Sequence, residues 1–180
     1  MKHILILITL LFQSHSLMAY EKAFRPTKVG ITELKELPAG TLLESRGSNS
    51  YFKNPNSLFR PLFRYIKKHN IDMTTPVEAR INPGAMYFWV SAKQVEKVTT
   101  ETSQVKVINI ERRWVASRGN RGSYSKANFN KTKEALLRWV EEMPDITING
   151  EPFAVYWSSP FVPWFMKKFE VQVEVHIARK

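Results

Sequence analysis

The chain has 180 residues, no cysteine, and 27 Lys and Arg against 16 Asp and Glu, a formal charge of +11. Without thiols, disulfide staples, thiolate-ligated metal or haem and cysteine nucleophiles are all excluded. The surplus of cations favours anionic partners: carboxylates, phosphates, anionic lipid or nucleic acid.

Met1-Lys2-His3 is a basic start, Ile4 to Phe12 an apolar run broken only by Thr9, and Gln13 to Ala19 a more polar exit ending in a small residue. That layout predicts a secretory signal peptide over 1–19, cleaved after Ala19. The run is too short to cross the ~30 Å of hydrocarbon in a bilayer. Residues 20–180 are then expected to form one exported domain, periplasmic or secreted, held by its core alone.

Val29 to Leu37 reads as a strand, Pro38-Ala39-Gly40 as a turn, and Thr41 to Arg46 as the next extended piece. A polar loop ending in Asn-Pro-Asn precedes a helix over Ser57 to His69, with Leu58, Phe59, Leu62, Phe63 and Ile66 on its apolar face. Pro61 must sit in the first turn of this helix or kink it. Val77 to Asn82 and Met86 to Ala92 flank Pro83-Gly84 and predict a hairpin. Lys93 to Ser103 is polar and Thr-rich and reads as a connector. Val105 to Ile110 and Arg113 to Ser117 resume strand patterning, and a second helix is predicted over Asn130 to Met143. Phe153 to Trp157 and Phe169 to Ile177 complete the strands, the last with Val171, Val173, Val175 and Ile177 alternating with polar residues.

The chain also matches itself. Leu42-Leu43-Glu44-Ser45-Arg46-Gly47 resembles Trp114-Val115-Ala116-Ser117-Arg118-Gly119 at an offset of 72, and Leu62-Phe63-Arg64-Tyr65-Ile66 resembles Leu136-Leu137-Arg138-Trp139-Val140 at 74. The expected fold is therefore α+β: two duplicated βαββ-type units forming a distorted antiparallel β-barrel with two flanking helices.

The order of motifs resembles the SOUL haem-binding protein family. The similarity rests on Met73-Thr74-Thr75-Pro76-Val77 just after the first helix, and on Tyr156-Trp157-Ser158-Ser159-Pro160-Phe161 leading to Lys167-Lys168 and Glu170-Val171. The strand Arg113 to Gly119 ahead of a helix with paired leucines adds to it. Where family members carry Arg-Arg-Asn-Glu this chain has Lys167-Lys168-Phe169-Glu170, and Lys68-His69-Asn70 stands for the usual Gly-x-Asn. The resemblance implies non-catalytic binding of haem or a related tetrapyrrole, held reversibly in an apolar groove between the first helix and the loop before the last strand.

A tetrapyrrole presents flat apolar faces and two propionates, so its site needs aromatic walls and cations at the rim. One wall would be Leu58, Phe59, Leu62, Phe63 and Ile66, although an amphipathic helix must also bury one face in the core. The facing loop, Pro160 to Met166, supplies Phe161, Val162, Trp164, Phe165 and Met166. Arg60, Arg64, Lys67, Lys167 and Lys168 are the expected propionate partners. With His3 and His15 in the signal, only His69 and His176 remain, and His69 at the end of the groove helix is the candidate iron ligand.

Two other readings stay open. The aromatic loop beside Lys167 and Lys168 also fits a peripheral contact with an anionic membrane surface or a small amphiphile. A small-molecule hydrolase would use a buried strand glutamate, Glu78, Glu111 or Glu174, but the sequence has no partnered Ser-His-Asp pattern and no His-Glu-x-x-His. The aromatics lie in apolar runs and are not interleaved with Arg and Lys, so nucleic acid is not an expected partner. A monomer is expected.

Overall fold

The computed structural model describes residues 20–159 and 161–178. Residues 1–19, over which the sequence predicts a signal peptide, and Pro160 lie outside the described residues. In chain order the strands are β1 (Glu21–Lys22), β2 (Thr32–Leu37), β3 (Gly40–Arg46), β4 (Thr74–Thr75), β5 (Val77–Arg80), β6 (Ala85–Val90), β7 (Lys106–Ile110), β8 (Arg113–Arg121), β9 (Ile146–Ile148), β10 (Phe153–Tyr156) and β11 (Lys168–Ile177). Helix α1 (Pro55–Lys68) lies between β3 and β4, and α2 (Lys126–Glu141) follows β8.

Both helices begin earlier than their apolar periodicity suggests, because capping residues set the start. Asn54 caps α1 by accepting from the Ser57 N–H, and Pro55 occupies the first position, where its missing N–H costs nothing. Pro61 therefore falls in the second turn, where it is buried. Ser125 caps α2 by accepting from the Asn128 N–H at 3.2 Å.

One curled sheet organises the chain. Its strand order is β2-β8-β11-β10-β5-β6-β3-β7, with β9 added beside β11. All these pairings are antiparallel; β1 pairs separately with β4 in parallel. The order strand, helix, strand, strand occurs twice, as β3-α1-β5-β6 and β8-α2-β10-β11, and the halves meet at the β5–β10 pairing. The strand ahead of each half is exchanged: β2 pairs with β8, and β7 pairs with β3.

Alternate residues separate two faces. On β10, Ala154 and Tyr156 join a core cluster that contains Leu58, Leu62 and Ile66 of α1 and Leu136 and Val140 of α2. Phe153 and Val155 belong to a second cluster with Leu37 and Val115, which includes no helical residue. The first face is the outer one, covered by both helices. The second lines the inside of the curl. In this frame Leu43 faces the helices and Val115 faces inward, so matching the strands at an offset of 72 is out of phase with the faces. The helical offset of 74 pairs Leu62 with Leu136, both fully buried.

The inner face is strongly polar. Glu170 is 0% exposed and accepts from the Thr27 N–H at 2.7 Å, Trp157 Nε1 at 2.7 Å, Lys35 Nζ at 2.7 Å, Ser117 Oγ at 2.7 Å and Gln172 Nε2 at 2.7 Å. These donors come from β2, β8, β11, the loop after β10 and the N-terminal segment, so one carboxylate ties the second half of the sheet to the chain start. The N-terminal segment crosses the inner face, with Phe24 set edge-on against Trp89 and Trp157 at 5.5 and 5.3 Å. Gly119 makes this crossing fit: a Cβ there would lie 2.4 Å from the Lys28 carbonyl oxygen.

Burial drives the Lys35 ammonium below the ordinary lysine value, and the Glu170 carboxylate opposes that drift. Removing one partner strands the other charge in a dry site. Lys35→Met is expected to cost about 3–5 kcal/mol of stability, measured by urea denaturation followed by tryptophan fluorescence.

Candidate functional site

Four concavities and one exposed loop carry the chemistry. The inner cavity, about 350 Å³, is lined by Leu42, Glu78, Arg80, Tyr87, Ile108, Ile110, Glu111, Arg112, Arg113 and Glu174. At its floor Arg113 Nη2 donates to both oxygens of Glu78 at 3.2 Å, and Trp89 Nε1 donates to Glu78 Oε1 at 2.9 Å. Arg80 Nη2 donates to Glu174 Oε1 at 2.7 Å. Tyr87 donates to Glu44 at 2.8 Å, and burial pushes its phenol up to about 12. Sequence reasoning names Glu78, Glu111 and Glu174 as strand carboxylates; the structure brings all three to this cavity. It misses Arg113 and Arg80, which neutralise Glu78 and Glu174 there. The signal is present in the alternation, since Glu78 and Arg80 share the inward face of β5.

A larger groove of about 760 Å³ opens on the other side of Arg80 and Tyr87. It runs between the turn after β5 and the first turns of α2. Phe52, Ile81, Pro83 and Phe129 give it an apolar floor, with the Phe52 and Phe129 rings 5.8 Å apart. Arg46, Arg80, Lys126 and Lys133 line it against a single carboxylate, Glu151. Lys126, Phe129, Asn130 and Lys133 fall at i, i+3, i+4 and i+7, one face of a helix, and that face is legible in the sequence. Arg46, Phe52 and Arg80 come from elements that only the fold gathers.

The loop between β10 and β11 is exposed. Phe161 is 96% exposed, Trp164 67%, Phe165 56% and Met166 49%, while Val162 is half-buried. Trp164 and Phe165 sit edge to face at 5.8 Å. Lys168 is exposed, and Lys167 lies over the Tyr124 ring at 5.2 Å.

The α1 residues separate into two groups. Leu58, Leu62 and Ile66 pack in the helix-covered core and present no surface to a ligand, because that face must cover β3 and β6. Phe59 and Phe63 stack at 5.5 Å at the margin, where Phe59 also meets Phe88 and Lys67 lies over Phe63. Arg60 and Arg64 are exposed, and Arg64 donates to Gln104 at 3.1 Å. His69 caps the end of α1, stacks on Tyr65 at 4.3 Å, and has Nδ1 3.5 Å from Thr99 Oγ1. It lines a cavity of about 200 Å³ with Pro61, Arg64, Lys68 and Val105. His176 lines a separate cavity of about 580 Å³ with Arg112 and Trp114. None of these four cavities takes lining from both α1 and the 161–166 loop. Among the described residues there is no cluster of three or more metal-ligating side chains.

The sequence matches the SOUL heme-binding protein family profile over residues 19–174. No curated protein matches it by sequence. Several solved structures share the fold. The C-terminal domain of EcmrR superposes with a TM-score of 0.66 at 15% identity, covering 82% of this chain and 98% of that one. Against EcmrR in its DNA complex the TM-score is 0.67 at 14% identity, and the match covers 82% of this chain but only 58% of EcmrR. A hydrolase from Listeria innocua gives 0.57 at 13% identity, with 83% and 94% coverage. SAV2435 bound to tetraphenylphosphonium gives 0.53 at 12% identity, with 81% and 94% coverage. At these identities the likeness carries the fold alone.

Burial raises the Glu78 carboxyl above the ordinary glutamate value, and the charges of Arg113 and Arg80 pull it back. Between the unfolded value and this raised one, the native state holds more protons than the unfolded chain. The contribution of Glu78 to stability is therefore largest below that window and declines as pH rises through it. Glu78→Gln removes the ionisation. Urea midpoints measured upward from about pH 4 are expected to show wild type losing ground to the variant, and a pH-independent difference contradicts the assignment.

Proposed function

Because the chain belongs to the SOUL heme-binding protein family, we propose that it is an exported, periplasmic carrier. It binds haem or a related tetrapyrrole reversibly and does no chemistry on it. The observation that carries the location is the α2 groove, the largest of the four cavities, where an aromatic floor meets Lys126 and Lys133 beside Arg46 and Arg80, which are held by Glu44 and Glu174. Its volume lies within the usual range for ligand sites. Phe52 and Phe129 would face the macrocycle, and Lys126 and Lys133 would pair with the propionates.

Haem would enter this groove by its flat apolar face and its two anionic propionates. The groove supplies no imidazole, and His69 lies in a different and smaller cavity. Iron is then a passenger in the complex, and affinity comes from stacking and charge. The polar floor of the inner cavity supports a non-catalytic reading, since Arg113 and Trp89 already occupy the Glu78 oxygens that a hydrolytic base would need free. That SAV2435, a protein of similar fold, is seen with tetraphenylphosphonium bound supports small-molecule binding on this scaffold.

The surface formed by Phe59 and Phe63 of α1 and by the 161–166 loop with Lys167 and Lys168 is the rival seat. Titration with hemin, followed by Soret absorbance, separates the two. Lys126→Glu with Lys133→Glu is expected to weaken binding by about tenfold or more, while Phe161→Ala with Trp164→Ala leaves it unchanged. The reverse outcome moves the ligand to the α1 and loop surface. Iron-free protoporphyrin is expected to bind as hemin does, and His69→Ala to have no effect. Hemin-only binding that is lost in His69→Ala refutes the ligand-free iron.

A further inference from the structure

The groove leaves unexplained the most exposed apolar surface of the protein. Phe161, Trp164, Phe165 and Met166 project from one short loop, with Phe161 nearly fully exposed. Singly exposed apolar residues are ordinary, but four on one loop mark an interaction site. The loop is not slack. Tyr124 accepts from the Ser158 N–H at 2.8 Å and donates to the Lys168 carbonyl at 2.9 Å, and the Lys168 N–H donates to Ser158 Oγ at 2.9 Å. Within the loop, Met166 and Lys167 both donate to the Pro163 carbonyl, closing a 3₁₀ turn that holds Trp164 and Phe165 edge to face. The tip is preformed, so burying it costs little ordering.

Its base is basic. Lys167 and Lys168 follow the tip directly, and Arg121 lies opposite Lys168 across the β11–β8 ladder. Among the described residues none of these three cations has an ion-pair partner. An apolar wedge with cations at its base that no carboxylate neutralises is the complement of a bilayer surface rich in anionic phospholipid: the rings enter the headgroup and acyl boundary while the cations stay at the phosphates. A protein–protein interface shares the aromatic content but is depleted in lysine, which this rim supplies.

We propose that the loop over 161–168 docks the protein on anionic membrane surfaces, with Phe161 and Trp164 inserted and Arg121, Lys167 and Lys168 at the lipid phosphates. Sedimentation with vesicles of phosphatidylcholine, with and without phosphatidylglycerol, tests this. The protein is expected to pellet with the anionic vesicles and to be released by salt. Quenching of its tryptophan emission by lipids brominated near the headgroup is expected in the wild type and lost in Trp164→Phe. Phe161→Ser with Trp164→Ser and, separately, Lys167→Glu with Lys168→Glu should each reduce partitioning by about tenfold. All these positions are at the surface, and unchanged hemin titration in the variants shows that the fold survives. Failure to pellet with anionic vesicles, equal pelleting with neutral ones, or wild-type partitioning of either double variant overturns the proposal.

Discussion

Two residues on each side, Pro38-Ala39 and Glu111-Arg112, hold the sheet in its shape. Leu37 ends β2 at one edge of the sheet, and Gly40 begins β3 next to the opposite edge. Three peptide steps span at most about 11 Å, so the two edges must be drawn together. The link from β7 to β8 imposes the same condition from the other side. An open twisted sheet of this width cannot meet it, and the curl follows from the connectivity. A sheltered inner face and an outer face left to the helices are consequences of that curl.

The inner face shows where sequence reading reaches its limit. Alternation along β11 is plain, and Val171, Val173 and Val175 do face the helices. Their neighbours Glu170 and Gln172 look like a solvated face by the same pattern, yet both are fully buried. A period of two tells which residues share a side and not whether that side is wet. The partners that make the burial tolerable are far away in sequence: Lys35 and Thr27 for Glu170, Arg113 for Glu78. The longer strands and both helices are local matters and legible, whereas the short β1, β4 and β9 are not, and β8 runs on to Arg121; capping at Asn54 and Ser125 moves the helix starts. The apolar stripe of α1 was equally legible, but a stripe cannot say whether it faces a ligand or a core. For Leu58, Leu62 and Ile66 the sheet beneath them decides.

Functional surfaces are distributed around this curled frame. The inner cavity has its carboxylates matched within the fold, Glu78 to Arg113 and Glu174 to Arg80, although Arg113 keeps Nε and Nη1 buried without a hydrogen-bond partner among the described residues. In the α2 groove Arg46 and Arg80 are paired with Glu44 and Glu174, which leaves Lys126 and Lys133 as its excess cations, and the 161–168 loop carries such an excess too. Excess charge beside apolar surface is what an anionic, partly apolar ligand or interface requires. The two unmatched surfaces meet near Tyr124, which stacks on Tyr156 at 4.2 Å and sits between the start of α2 and the base of the loop.

The exchange of β2 and β7 has a meaning for how the chain can be divided. A cut in the connector after β6 would yield two fragments, each carrying a strand, a helix and two further strands of its own. Neither fragment would hold the edge strand that its sheet pairs with, because β2 travels with the first and belongs beside β8, and β7 travels with the second and belongs beside β3. The halves are interlocked like clasped hands, and the domain is by construction a natural pair for fragment complementation.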